Sequence, residues 1–180
     1  MWNLITLDGF FEGTKSWELD WLQYAWGDAT EQHSIEQLHT ADLLLFGRTT
    51  YEGMAAYWQS AEGEIAGLMN GLPKVVVSKT LGQPTWANTT LVEGDPAVAV
   101  HQLKDAGDRN ILVFGSAILS ATLLEQGLFD EIRLGIVPVI VGRGRTLFGR
   151  DLSLARMKLL DSRALPNGLV ILRYEPLAAE

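Results

Sequence analysis

The sequence predicts an α/β fold: one domain over residues 1–180, built on a mixed and mostly parallel sheet with helices on both faces. Three observations predict it. Short apolar runs alternate with helical patterns from Leu43 to Gly127, an order that suits parallel strands joined by crossover helices. The last third, Glu131 to Glu175, holds strand patterns with no helix between them, so those strands should pair antiparallel along one edge. At 180 residues with 47% apolar and 20% charged residues, the chain is long enough for a sizeable core.

The first strand ends at Ile5-Thr6, where Asp8-Gly9 breaks it. Phe10 to Asp28 is rich in aromatics and glycine, and four of the six tryptophans (Trp2, Trp17, Trp21, Trp26) fall in the first 26 residues. Glu31 to Thr40 reads as a polar helix with Ile35 and Leu38 on its buried side. Leu43 to Phe46 is a strand, and Thr50 to Trp58 a helix that Thr49 or Thr50 would cap. Ile65, Leu68, Met69 and Leu72 follow helical spacing until Pro73 stops them. Lys74 to Lys79 and Thr90 to Glu93 read as strands. Asp95-Pro96 is a helix start, with an oxygen acceptor at the cap and proline in the first turn.

Ile111 to Phe114 is the next strand, and Ser116 caps a helix that stops at Gly127. Glu131 to Gly142 is one long strand or two broken at Pro138, and Arg145 to Phe148 follows a glycine-rich turn. Met157 to Glu175 is a hairpin, because Asn167-Gly168 is a favoured pair for a tight turn.

Composition narrows the function. Without cysteine there are no disulfides, thiolate metal sites or thiol nucleophiles, and a reducing cytoplasm fits. A net charge of -8 with no basic stripe disfavours a nucleic-acid partner. No apolar run approaches the roughly 20 residues that span a bilayer, and the N-terminus carries no signal-peptide pattern. His33, His39 and His101 read as surface residues, with no metal site among them.

Two strands end in Phe-Gly before a helix: Phe46-Gly47-Arg48-Thr49-Thr50 and Phe114-Gly115-Ser116. The carboxyl edge of such strands is where open α/β sheets bind ligands. Glycine allows close approach, helix-start amides suit phosphate, and Arg48 adds a fork of donors. Ser78 and Lys79 end a third strand with a hydroxyl beside a cation. Three such ends suit a dinucleotide carrying an extra phosphate. Gly-Arg-Gly at Gly142 to Gly144 reads first as a turn.

Asp8 and Asp20 sit among large apolar residues, where desolvation would raise a carboxyl pKa and let it manage a proton. A turn is the plainer role for Asp8, and a helix cap is an equal alternative for Asp20. Trp17, Trp21, Tyr51, Met54 and Trp58 could line a slot for a flat heterocycle, or could simply be core.

The segments TLDGFFEG, ADLLLFGRTTYEGMAAYW, KVVVSKTL and ILVFGSAILSATLLEQGLFDEIRLGIVPVIVGRGRTLF resemble the dihydrofolate reductase superfamily. Within it they are most similar to stand-alone relatives of the C-terminal reductase domain of the bifunctional riboflavin-biosynthesis enzyme. The resemblance implies a three-layer fold with a central sheet of about eight strands, an NADPH cofactor, a small-molecule substrate and a homodimer. It implies that Gly47, Arg48 and Thr49 hold cofactor phosphates and that Ser78 and Lys79 meet the adenosine ribose and its 2′-phosphate. Gly115, Ser116, Ala117 and Ile118 would wrap the pyrophosphate. The chain has Ser116 where dihydrofolate reductases have a second glycine, and Asp20 matches the family's acidic residue only through Leu19-Asp20-Trp21. The family's first strand also usually starts several residues earlier. The activity implied is reduction of a pterin- or pyrimidine-type heterocycle, or a related carbonyl or imine. A non-catalytic dinucleotide-binding or sensing module is the alternative.

Overall fold

The computed structural model describes residues 1–107, 110–149 and 152–178. In chain order the elements are β1 (Trp2–Thr6), β2 (Phe10–Glu12), a 3-10 helix (Asp20–Tyr24), α1 (Asp28–His39), β3 (Leu43–Gly47), α2 (Arg48–Trp58) and α3 (Glu64–Gly71). Next come β4 (Lys74–Val77), β5 (Thr89–Val92), α4 (Pro96–Asp105), β6 (Ile111–Val113) and α5 (Ala117–Glu125). The chain finishes with β7 (Ile132–Val137), β8 (Arg145–Thr146), β9 (Met157–Ala164) and β10 (Val170–Pro176).

The strands form an all-parallel sheet ordered β5-β4-β3-β6, a mixed sheet ordered β1-β7-β10-β9, and the antiparallel pair β2-β8. In the mixed sheet β1 runs parallel to β7, and β10 runs antiparallel to both β7 and β9. The single sheet of about eight strands expected from the sequence is thus replaced by sheets of four, two and four. An isolated bridge between Trp2 and Phe114 joins the two larger ones at β1 and β6. The ladder goes no further because Gly115 and Ser116 both turn left-handed (φ +52° and +55°). The Gly115 amide then donates to the Asn3 side chain at 2.7 Å rather than to a neighbouring strand.

Alternation along β3 separates the core into two layers. Leu44 and Phe46 pack with Trp21, Leu38, Tyr51, Met69, Trp86 and Ile171 on one face. Leu43 and Leu45 pack with Ala99, Val100, Leu119 and Leu123 on the other. Helices α1 to α3 therefore supply one cover and α4 and α5 the opposite one. Asp95 caps α4, accepting from the Ala97 amide at 2.7 Å. The β9–β10 hairpin turns at Asn167-Gly168, closed by Gly168 N–H to Leu165 O at 2.9 Å. β7 ends at Val137, before Pro138, so the long apolar run is one strand and a turn.

Two polar devices hold this frame. Lys74 is almost completely buried at the start of β4. Its ammonium donates to the carbonyls of Met69 (2.8 Å) and Asn70 (3.1 Å) in the last turn of α3 and of Leu72 (2.7 Å) just beyond it, and lies 4.7 Å from the Trp86 ring centre. At the mixed sheet, Glu131 accepts from Arg173 (2.7 and 2.9 Å) and from Arg133 (2.5 Å). Those guanidinium hydrogen bonds hold its carboxyl down at about 2, against an ordinary value of 4.5. A depressed carboxyl contributes stability above its unfolded pKa and loses it as pH falls through the folded one. Acid unfolding followed by circular dichroism is therefore expected to show a stability loss between pH of about 4.5 and 2 that Glu131→Gln abolishes.

Candidate functional site

The carboxyl ends of β3 and β6 are braced against each other by hydroxyls. Ser116 Oγ accepts from the Gly47 amide at 3.0 Å, and Thr50 Oγ1 accepts from the Ser116 amide at 2.9 Å. Neither hydroxyl does what helix-start grammar predicts. Gly47 and Ser116 are the N-cap positions of α2 and α5, and neither helix has a side-chain cap. Helices α1 and α3 also start without one, at Gly27 and Gly63. What sets α2 and α5 apart is that their starts lie side by side at one sheet edge. Their first-turn amides, those of Arg48, Thr49, Ala117 and Ile118, form a positive rim suited to an anion.

Gly115 is required at this junction. It holds φ +52°, and a Cβ there would come within 3.2 Å of Thr50 Cγ2, against the hydroxyl that braces Ser116. Ser116 tolerates its own left-handed turn because its side chain is fixed by Gly47. This explains how serine stands where a second glycine was expected.

Arg48 leads α2 and stays half-exposed. Its Nε donates to Glu52 (2.9 Å) and its Nη1 to the Thr80 carbonyl (2.9 Å), which ties the ends of β3 and β4 together. Two of five donors are thus used, leaving the rest of the fork for a ligand. Ser78 Oγ accepts from the Thr80 and Leu81 amides at 3.1 and 3.0 Å, so it shapes the turn after β4. Lys79 and Thr49 are exposed, Ala117 is partly buried and Ile118 is 88% exposed. Beside α2 lies an open cavity of about 330 Å³, lined by Tyr51, Glu52, Ala55, Leu81, Gln83 and Thr85 among others.

Neither aspartate sits in the apolar pocket that proton chemistry would use, and Asp8 takes the turn role that was its plainer reading. Asp8 accepts from Thr6 Oγ1 (2.6 Å) and from the Gly142 amide (2.7 Å). These hydrogen bonds, the Thr6 one foremost, lower its pKa rather than raise it, and they hold the glycine-rich turn that follows β7. Asp20 is exposed in the first turn of the 3-10 helix, not enclosed by apolar groups, and the N-cap of that helix is Leu19.

The aromatic residues are divided. Tyr51 is buried against Phe46 and Trp86, and its hydroxyl accepts from the Trp86 amide at 2.9 Å. Trp58 is partly buried and its indole N–H donates to the Met54 sulfur at 3.2 Å. Trp21 is buried too, yet its indole N–H has no acceptor among the described residues. His33, expected at the surface, is half-buried with its ring edge-on to Trp2 at 5.3 Å, and burial lowers its pKa. His39 pairs across to Glu64 at 3.0 Å. Among the described residues no cluster of His, Cys, Asp and Glu is placed to hold a metal ion.

Sequence reading missed Asn3, which holds the Gly115 amide, and Thr50 as a brace rather than a cap. It also missed Gly53, whose missing side chain admits the Trp17 indole. Each partner lies too far along the chain for local spacing to reveal it.

The paired uncapped helix starts, the half-used guanidinium of Arg48 and the exposed Lys79 could hold an anionic ligand. The RibD C-terminal domain profile matches residues 1–171. YyaP, an uncharacterized protein of Bacillus subtilis (strain 168), is 30% identical over 179 residues, covering 94% of this chain and 90% of its own. A Shewanella sp. PV-4 protein named for riboflavin biosynthesis shares the fold with a TM-score of 0.78 at 22% identity, over 98% of this chain and 97% of its own. A pyrimidine reductase-like protein of Corynebacterium diphtheriae does so with a TM-score of 0.66 at 17% identity, over 99% and 91%.

Proposed function

Starting from the finding that the chain belongs to the RibD C-terminal domain family, we propose that it is an NADPH-dependent reductase of a small flat heterocycle. The heterocycle is of pterin or pyrimidine type, or a related carbonyl or imine. The observation that carries this reading is the cross-braced pair of uncapped helix starts, Gly47 to Ser116, with Arg48 beside it. Two rows of amides converging on one edge offer more donors to two linked phosphates than a single helix start does.

In this reading Gly47, Arg48 and Thr49 hold phosphate, and Gly115, Ser116, Ala117 and Ile118 wrap the pyrophosphate. Ser78 and Lys79 meet the ribose and its 2′-phosphate. The cofactor supplies the hydride. Trp21 offers its unpartnered indole N–H to a heterocycle carbonyl, and Tyr51, Met54 and Trp58 back the slot. Asp20, with Asp8 or a water, delivers the proton. The exposed leucines of edge strand β9, Leu159 and Leu160, support a homodimer. The net charge argues against a nucleic-acid partner. No helix is long and apolar enough to cross a membrane among the described residues, and a cytoplasmic single-domain protein is the matching expectation.

One observation favours a second reading, a dinucleotide-binding or sensing module without turnover. Asp20 is exposed rather than set in an apolar pocket, and the Thr6 and Gly142 hydrogen bonds hold Asp8 below its ordinary pKa, which works against its keeping a proton. Nicotinamide absorbance, followed with NADPH and a panel of pterins and pyrimidines, separates the two. The reductase consumes NADPH with at least one of them, and Asp20→Asn slows it by about 100-fold or more. Binding of NADPH without consumption by any of them favours the sensor.

A further inference from the structure

We draw no further inference here: the strongest candidate, the open cavity of about 330 Å³ between α2 and residues 81–85, is lined by Glu52, the partner of Arg48, and belongs to the candidate site already described.

Discussion

Arg48→Ala is expected to weaken NADPH binding by roughly 10- to 100-fold while leaving the protein folded. The guanidinium is half-exposed and uses two of its donors on Glu52 and Thr80, so the rest of the fork is free to meet phosphate. A charge-assisted hydrogen bond to phosphate contributes about 1.5–3 kcal/mol, and that range converts to the stated loss. The variant also drops the tie to the Thr80 carbonyl, a surface contact whose loss changes stability by about 1 kcal/mol at most. Nicotinamide fluorescence reads the affinity, and a thermal melt shows that the fold is intact. Equal NADPH affinity in variant and wild type would remove Arg48 from the site.

The second large effect is on stability. Lys74→Met keeps the apolar stem but takes the ammonium from the Met69, Asn70 and Leu72 carbonyls, of which Asn70 keeps the Asn88 side-chain amide at 3.2 Å. Unsatisfied buried acceptors cost about 1–3 kcal/mol each before relaxation, so a net loss of about 3 kcal/mol is expected. For a chain of this size that lowers the melting temperature by roughly 6–12 °C. Burial pushes the ammonium down to about 8 from 10.5, so at neutral pH the charge remains and is held by carbonyls and the Trp86 face. Between those two pH values the unfolded chain binds the proton that the folded one has released, and stability rises with pH. The gap between wild type and Lys74→Met should therefore widen from pH of about 8 to 10.5, as measured by urea unfolding. A variant as stable as wild type would mean the carbonyls find water instead.

Local grammar made much of the fold legible. The Leu43 to Phe46 strand, the Asp95-Pro96 start and the Asn167-Gly168 turn each state their structure within a few residues, and each formed as read. What stayed hidden depends on contacts between distant segments. Ser116 after Gly115 reads as a helix cap, yet its hydroxyl serves an amide 69 residues earlier. The left-handed pair Gly115-Ser116 that limits β1 and β6 to one bridge looks like any strand end in sequence. Lys74 reads only as the first residue of a strand, and its burial against the α3 carbonyls has no local signal.

The candidate site was half legible for the same reason. Gly47, Arg48 and Gly115 announce themselves by type and by place at strand ends. The turn role of Asp8 was legible from Asp8-Gly9, but the proton roles of Asp8 and Asp20 were read from apolar neighbours in sequence, and a carboxyl responds to neighbours in space. Asp8 meets Thr6 and the Gly142 amide, and Asp20 meets solvent.

The most direct measurement is a titration of the wild-type protein with NADPH and NADH, followed by nicotinamide fluorescence. Saturable binding with a preference for NADPH is the predicted result, since Lys79 and Ser78 are assigned to the 2′-phosphate. No binding of either dinucleotide would contradict the account, because the paired helix starts of α2 and α5 would then have no cofactor to hold.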